Sequence, residues 1–202
     1  AVGPVPASRY ATTSGAPAEG GFVDGAEDFD ADFFRIGAAE ALRIDPQHRI
    51  LLETARHALD HAAIAPARLA GSRTGIFLGI FSHDWETRLL GHGAEERGAH
   101  LATGTAAAMA AAGLADLLGT EGPALALDTA CSASLTALHL AYRSLRSGES
   151  DLALAGGVNL ILGPDLSLAF ARAGMLAPDG RCRAFDAAAT GYVRSEGCGL
   201  VV

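Results

Sequence analysis

Lysine is absent from this 202-residue sequence, and all fifteen basic residues are arginine. Because 23 residues are acidic, the formal net charge is −8, which argues against the basic surface that nucleic-acid binding requires. No run approaches the length of an apolar membrane helix, and the first ten residues lack the pattern of a signal peptide. The three cysteines do not form a disulfide framework. These absences predict a soluble cytoplasmic chain that binds neither nucleic acid nor a membrane.

The composition that remains is that of a globular domain. Half of the residues are apolar, and 19% are charged. This length can bury one sizeable core, and no internal repeat divides it, so we expect one domain over residues 1–202. The chain starts as if within a loop, and its last residues resemble the start of a strand. We therefore expect a domain truncated at both ends.

Strand and helix patterns alternate along the chain, which predicts an α/β fold. Asp45-Pro46 has the pattern of a helix start, with a capping residue followed by proline. The predicted strands are 74–80, 124–130 and one beginning at 151, and the other predicted helices are 102–118 and 133–146. A strand, a helix and a strand in succession predict a parallel sheet that is covered by helices.

Cys131 lies at the junction of a predicted strand and a predicted helix, in "LALDTACSASL". The N-terminal end of a helix carries unpaired N–H groups and a partial positive charge, and both favour a thiolate over a thiol. The small residues around Cys131 leave room for a substrate carbonyl to approach the backbone. The pattern therefore fits an activated nucleophile, although a buried structural cysteine fits it as well.

The helix that follows Cys131 carries larger apolar residues at helical spacing. We expect this stripe to be the buried face and the helix to begin within a residue or two of Cys131. The stripe consists of Leu135, Leu138, Tyr142 and Leu145.

The histidines near these motifs do not suit catalysis or metal binding. His139 lies eight residues beyond Cys131, about 12 Å along a helix axis, which is too far for a hydrogen bond. His57 and His61 have the i, i+4 spacing of two zinc ligands, but they fall on the polar face of their helix and no third ligand is evident. We predict no metal site.

The other two cysteines have less distinctive surroundings. Cys182 lies between two arginines, which could activate a thiol, but the preceding Pro-Asp-Gly turn favours an ordinary loop cysteine. We expect Cys198 to pack at the start of a strand. The chain contains no glycine-rich phosphate-binding loop, so nothing supports nucleotide binding.

Four segments together resemble the beta-ketoacyl synthase (ketosynthase) domain of modular type I polyketide synthases. They are "DPQHRILLE", "DTACSASL", "SLRSGESDLALAGGVNLIL" and "GMLAPDGRCRAFDAAATGYVRSEGCG". The resemblance runs through essentially the whole chain, as the N-terminal portion of that domain. It implies a thiolase-like layered αβαβα fold, with a mixed sheet covered by helices, of which this chain is the N-terminal half.

The resemblance also implies a chemistry. Cys131 matches the nucleophile that accepts an acyl chain from an acyl carrier protein, before decarboxylative Claisen condensation with a malonyl-type extender. Phe170 aligns approximately with a residue that lines the acyl pocket. The implied partners are the acyl carrier protein, the adjacent polyketide synthase domains and a second copy in a homodimer. The domain itself needs no cofactor, since the phosphopantetheine is carried by the carrier protein.

Two other interpretations remain open. The chain could belong to a thiolase-type enzyme that acts on acyl-coenzyme A, although "GMLAPDGRCRAFD" favours the synthase. It could instead be a non-catalytic partner half, but relatives of that kind typically lack the cysteine that is present here. The two active-site histidines of the family lie in motifs downstream of the last residue. We therefore expect the chain alone not to catalyse the condensation.

Overall fold

The computed structural model describes residues 2–10, 16–91, 93 and 101–202. The chain divides into two compact units. The larger unit comprises residues 26–159 and 198–202, and the smaller unit comprises residues 1–25 and 160–197. Cys131 belongs to the larger unit and Phe170 to the smaller one.

The larger unit is built on a sheet of the strands β3 (Thr74–Ile80), β4 (Ala124–Leu127), β5 (Leu152–Asn159) and β6 (Gly197–Val201). Their order across the sheet is β4-β3-β5-β6. Strand β3 pairs in parallel with both β4 and β5, which confirms the predicted parallel β-α-β unit. All seven residues of β3 are buried, as expected for a central strand that is covered on both faces.

Helices cover both faces of this sheet. On one face, α2 (Pro46–His61) and α5 (Ala107–Leu118) pack against apolar residues of the strands, including Ile76, Leu78 and Leu154. On the other face, α6 (Ala133–Ser147) packs against Phe77, Ala153 and Ala155. Among the residues of this unit that the structure describes, the shorter α-helices are α1 (Ala38–Ala41), α3 (Asp84–Leu90) and α4 (Leu101–Thr105). The resulting α/β layers agree with the predicted fold class.

The predicted start of α2 is confirmed. The Asp45 carboxylate accepts a hydrogen bond of 2.8 Å from the backbone N–H of Gln47, and Pro46 occupies the first helical position. The Gln47 side chain donates to the backbone carbonyl of Ser82 at 3.0 Å. Gln47 therefore ties the start of α2 to the chain beyond β3.

The single helix predicted for residues 102–118 is wrong, because the chain breaks at Ala106 into α4 and α5. Ala106 is extended, with φ −63° and ψ 125°. Just before it, the carbonyl of Gly104 accepts a hydrogen bond of 2.8 Å from the N–H of Asp45. A Cβ atom at Gly104 would lie 2.6 Å from the Arg43 carbonyl oxygen. This backbone contact is tertiary, so an alanine-rich pattern could not reveal it.

The boundaries predicted for α6 are nearly correct, but the predicted buried face is wrong. The larger apolar side chains are exposed, by 71% at Leu135 and 57% at Tyr142; Leu138 and Leu145 are exposed as well. The buried residues of α6 are instead small: Ala133, Ala137, Ala141 and Ser144. Small side chains let the helix lie close to the sheet, and this close approach determines which face is buried.

The smaller unit is organised around a buried ion pair. The side chains of Arg9 and Glu196 are 2% and 0% exposed, and Arg9 Nε lies 2.8 Å from Glu196 Oε1. The Glu196 carboxylate also accepts hydrogen bonds from the N–H groups of Val23 and Ile161. Because both charges are paired, burial is tolerated here, whereas loss of one partner typically costs about 3–5 kcal/mol.

The described part of the smaller unit also contains two short strands and one helix. Strand β1 (Val2–Pro4) pairs antiparallel with β2 (Glu19–Gly21), and α7 spans Asp165–Arg172. Among the residues that the structure describes, no helix in either unit is long and apolar enough to cross a membrane.

The start of α2 carries two buried groups whose pKa values move in opposite directions. Burial raises the pKa of Asp45 from 3.8 to about 6. Burial lowers the pKa of His48 from 6.5 to about 4. Between pH 3.8 and about 6, the folded state holds the Asp45 proton that the unfolded state has released, so Asp45 stabilises the fold more at lower pH. The unfolded state holds the His48 proton that the folded state lacks, so His48 favours folding at higher pH.

We predict that Asp45→Asn leaves the His48 contribution unopposed. Asparagine keeps the cap acceptor, so the helix start is preserved. From pH 6 down to pH 4.5, the variant should lose up to about 1.4 kcal/mol per pH unit relative to the wild type. Urea unfolding across this range measures the difference, and His48→Gln should change the slope in the opposite direction. An identical pH profile for all three proteins would contradict the assignment.

Candidate active site

Cys131 lies on a short turn between a strand and a helix. Strand β4 ends at Leu127, a 3-10 helix spans Ala130–Ser132, and α6 begins at Ala133. The Cys131 side chain is exposed and free. The predicted strand of 124–130 is therefore shorter than expected, because the last three residues form the turn that presents the thiol.

Hydrogen bonds from neighbouring side chains hold this turn. The Asp128 carboxylate accepts a bond of 2.7 Å from the N–H of Ala130. The Ser132 hydroxyl lies 2.9 Å from both the carbonyl and the hydroxyl oxygen of Thr129. The Thr129 hydroxyl also lies 3.1 Å from the Thr136 hydroxyl, one turn into α6. The residues on both sides of Cys131 are thus fixed to the turn or to the helix.

The backbone of the turn is unusual at Ala130, where φ is 54°. Only a few per cent of residues other than glycine adopt this region, and it is a strained conformation that often occurs at functional sites. Glycine adopts this region freely because it has no side chain, and alanine places only a methyl group there. The turn therefore stores local strain directly before Cys131, and the Asp128 hydrogen bond stabilises it.

Two glycines bring the start of α6 onto the sheet. A Cβ atom at Gly79, on β3, would lie 2.7 Å from the Ala133 carbonyl carbon and from the Ser134 nitrogen. A Cβ atom at Gly157, on β5, would lie 3.1 Å from the Ser134 Cβ. No real Cβ atom tolerates the first of these distances. The absence of side chains at Gly79 and Gly157, near the C-terminal ends of β3 and β5, therefore positions the first turn of α6, and with it Cys131.

The three thiols differ in their surroundings. Cys131 and Cys182 are exposed, whereas Cys198 is partly buried. Burial raises the pKa of the Cys198 thiol, and its sulfur lies 4.0 Å from the Ile50 carbonyl oxygen. Cys198 packs against the larger apolar core, as predicted for a strand residue. Cys198 is therefore a partly buried thiol that stays neutral near pH 7, whereas the Cys131 thiol is exposed.

The histidines that the sequence singled out are on the surface. His57 and His61 are exposed on α2, which confirms that they lie on its polar face, and His139 is exposed on α6. Within residues 2–10, 16–91, 93 and 101–202, no group of three or more potential ligands could hold a metal ion.

Phe170 lies on α7 in the smaller unit, where other side chains fix its ring. The Phe170 and Tyr192 ring centroids are 6.3 Å apart. The Arg194 guanidinium carbon lies 5.5 Å from the Phe170 ring centroid, and an Arg194 nitrogen donates to the Ser167 hydroxyl at 2.7 Å. Arg194 is only 8% exposed, so this cluster holds the phenylalanine in one place.

The chain matches a known protein family over nearly its whole length. The model of the beta-ketoacyl synthase N-terminal domain matches residues 2–202. The chain belongs to this family. The match includes the elbow at Cys131, the helix α7 with Phe170 and both compact units.

Similar proteins are polyketide synthases. The chain is 52% identical over 183 residues to a phenolphthiocerol/phthiocerol polyketide synthase protein of Mycobacterium bovis, covering 91% of this chain and 10% of that protein. It is 49% identical over 179 residues to the mycocerosic acid synthase-like polyketide synthase of Mycolicibacterium smegmatis, covering 89% of this chain and 8% of that protein. The chain therefore spans about a tenth of these relatives.

Solved ketosynthases have the same fold. The ketosynthase from module 6 of the bacillaene synthase of Bacillus subtilis 168 matches with a TM-score of 0.87 and 37% identity, covering 98% of this chain and 34% of that one. The oxazolomycin ketosynthase domain of Streptomyces albus JA3453 matches with a TM-score of 0.88 and 40% identity, covering 99% of this chain and 37% of that one. The chain thus has the fold of the N-terminal part of a thiolase-like ketosynthase.

The nucleophile candidate is visible in the sequence, but the residues that position it are not. Gly79 and Gly157 appear there only as glycines in apolar strands, a pattern that can mark close backbone approach. Asp128, Thr129 and Ser132 flank Cys131 with small polar side chains that are typical of a capped turn. Their hydrogen-bond partners depend on the turn at Ala130, which the sequence did not predict.

We predict that Gly79→Ala disturbs the elbow. The new methyl group meets the backbone of α6, which cannot rotate away as a side chain can. The variant should lose about 1–3 kcal/mol in the free energy of unfolding, the usual cost of overpacking. The rate at which Cys131 is alkylated in native buffer, measured by mass spectrometry, should differ from that of the wild type. Gly199→Ala is the matched control, since a Cβ atom there meets nothing within 4 Å. Equal stability and rate in both variants would contradict the close-approach argument.

Proposed function

We propose that the chain is the acyl-accepting part of a ketosynthase of polyketide or fatty-acid-type biosynthesis, a 3-oxoacyl-[acyl-carrier-protein] synthase type of acyltransferase, with Cys131 as its nucleophile. The observation that carries this proposal is the exposed thiol on a strained strand-to-helix elbow. A structural cysteine needs neither exposure nor a strained turn before it. The elbow therefore suits attack on a substrate that approaches from solvent.

The first chemical step is transfer of an acyl group. The Cys131 thiolate attacks the carbonyl carbon of an acyl thioester on the phosphopantetheine arm of an acyl carrier protein. The new carbon–sulfur bond forms as the bond to the carrier sulfur breaks, and the carrier thiol leaves with the proton that Cys131 released. The domain supplies no cofactor of its own in this proposal.

The turn also offers a donor for the developing oxyanion. The N–H groups of Ala130 and Ser132 are occupied by Asp128 and Thr129. The N–H of Cys131 makes no such bond within the described part of the chain. An N–H group beside the nucleophilic sulfur is well placed to stabilise negative charge on the carbonyl oxygen. We assign this role to the Cys131 backbone.

The second step is condensation in the complete ketosynthase. A malonyl-type extender on a carrier protein loses carbon dioxide, and the resulting carbanion attacks the acyl carbonyl on Cys131. A carbon–carbon bond forms, and Cys131 leaves as a thiolate. In this proposal Phe170 lines the acyl pocket, where the Arg194 and Tyr192 contacts keep its ring from turning. Adjacent polyketide synthase domains deliver and receive the carrier-bound chains.

We predict that an acyl-carrier-protein thioester acylates Cys131 in preference to Cys182 and Cys198. Cys198 should remain unlabelled because its thiol is partly buried and its pKa is raised. Intact-mass and peptide mass spectrometry give the site and the extent of acylation. Cys131→Ala should abolish the adduct while the circular dichroism spectrum stays unchanged, because the residue is exposed.

The matched control is Cys182→Ala, which removes the other exposed thiol and should leave acylation unaffected. A comparison of acyl-carrier-protein and acyl-coenzyme A donors separates a synthase from a thiolase-type enzyme. Acyl groups found mainly on Cys182 would overturn the assignment of the nucleophile. Faster transfer from coenzyme A would favour the thiolase-type alternative.

The homodimer is a further part of this proposal. Ala106, Ala108 and Met109 are exposed at the start of α5 and form a small apolar patch. We predict that the protein is a dimer by light scattering at micromolar concentration. Ala108→Arg should shift it toward monomer, because a charge is costly to bury in an apolar interface. Ala67→Arg, at an exposed position of the same unit, should not. A wild-type monomer would contradict this prediction.

A further inference from the structure

A second feature of the larger unit is a cavity of about 340 Å³, which is distinct from the elbow. Its walls include the loop residues Phe34 and Ile36, His48 and Leu52 of α2, and Met109 and Gly113 of α5, and residues of α1 and α4 complete the lining. The volume lies within the range of ordinary small-molecule sites. The proposed function of Cys131 makes no use of this cavity.

His48 is the polar group that makes the cavity chemically distinctive. It is 94% buried by area, since its relative exposure is 6%. Its imidazole has no hydrogen-bond or ion-pair partner among the residues that the structure describes, and burial alone lowers its pKa to about 4. The imidazole is thus neutral at pH 7, with one donor and one acceptor nitrogen. Among the described residues, the Thr120 hydroxyl oxygen is the only fully buried side-chain polar atom without a partner, so the His48 nitrogens keep some accessible surface. Because His48 lines the cavity, a group that occupies the cavity can supply the missing hydrogen bond.

The surroundings restrict what that partner can be. Most of the wall is apolar, and a neutral imidazole supplies no charge to balance that of a charged ligand. The charged residues at the cavity are Arg35, Glu40 and Asp116, all of them exposed. One cation and two anions do not make a site for a carboxylate or phosphate. At about 30 Å³ for each water-sized group, the volume holds roughly ten non-hydrogen atoms.

We propose that this cavity binds an uncharged amphipathic small molecule whose hydroxyl or carbonyl oxygen hydrogen-bonds to His48 and whose apolar chain packs against Phe34, Leu52 and Met109. The ligand class is that of a medium-chain alcohol or ketone. If the patch that begins at Ala106 forms a dimer interface, the partner would cover the Met109 side of the cavity. The His48 side would remain unchanged.

The methyl group of Met109 can report binding in this cavity by NMR. Only two methionines occur in the sequence, Met109 and Met175. Met109 lines the cavity, whereas Met175 belongs to the smaller unit. With ¹³C-methyl methionine, titration with 1-octanol should shift the Met109 signal saturably and leave the Met175 signal in place. Equal shifts of both signals, or none, would overturn the proposal.

A pair of substitutions on α5 tests the location. Gly113 lines the cavity, and a Cβ atom there meets nothing within 4 Å. Gly113→Leu should therefore fill the space and weaken octanol binding at least tenfold, without unfolding a helix that favours leucine over glycine. Ala112→Leu adds similar bulk at an exposed neighbour and should bind octanol like the wild type. Unchanged binding in Gly113→Leu would place the ligand elsewhere.

A substitution of His48 tests the ligand class. His48→Leu introduces an apolar side chain of similar size and removes the hydrogen bond, so octanol should bind about fivefold more weakly. His48→Gln should restore part of that loss. Octanoate and octylammonium should bind more weakly than octanol to the wild type. An unaffected octanol affinity in His48→Leu, or tighter binding of either charged analogue, would refute the proposed class.

Discussion

The close approach of α6 to the sheet is the constraint on which the candidate site depends. The helix can reach β3 only because Gly79 has no side chain where the Ala133 and Ser134 backbone passes. Ala137 and Ala141 continue this contact along the helix, packed against Phe77. The start of α6 is thereby fixed relative to the end of β4. The intervening residues must turn sharply, and this turn presents Cys131 to solvent.

Helix α6 carries apolar residues on two faces. Its alanine face lies on the sheet, and its opposite face carries Leu135, Leu138, Tyr142 and Leu145. In an αβαβα stack, the middle helical layer lies between two sheets, so a helix of that layer needs apolar residues on both sides. A helical apolar pattern predicts one buried face, and the larger apolar residues then identify that face. Here the smaller residues determine the distance to the sheet.

Local signals in the sequence predicted most of the fold but not its backbone contacts. The limits of β3 and the cap at Asp45 follow from apolar patterning and capping chemistry, which act within a few residues. The break at Ala106 and the turn at Ala130 depend on partners that are distant in sequence or on strain. The position of Cys131 was predicted because the residue type and the start of α6 are both local. The contact of Gly79 with the start of α6, which positions Cys131, was not predicted.

The elbow shows how a strained conformation can persist in a small turn. Ala130 adopts a positive φ that costs of order 1–3 kcal/mol for a residue other than glycine. The Asp128 carboxylate offsets part of this cost through its bond to the Ala130 N–H, and the Thr129 and Ser132 hydroxyls tie the next residues together. The Asp128 bond uses the N–H before Cys131, and the Ser132 N–H after it bonds to the Thr129 carbonyl at 3.3 Å. In the proposed mechanism, the interactions that hold the turn therefore also leave the Cys131 N–H as the donor to the oxyanion.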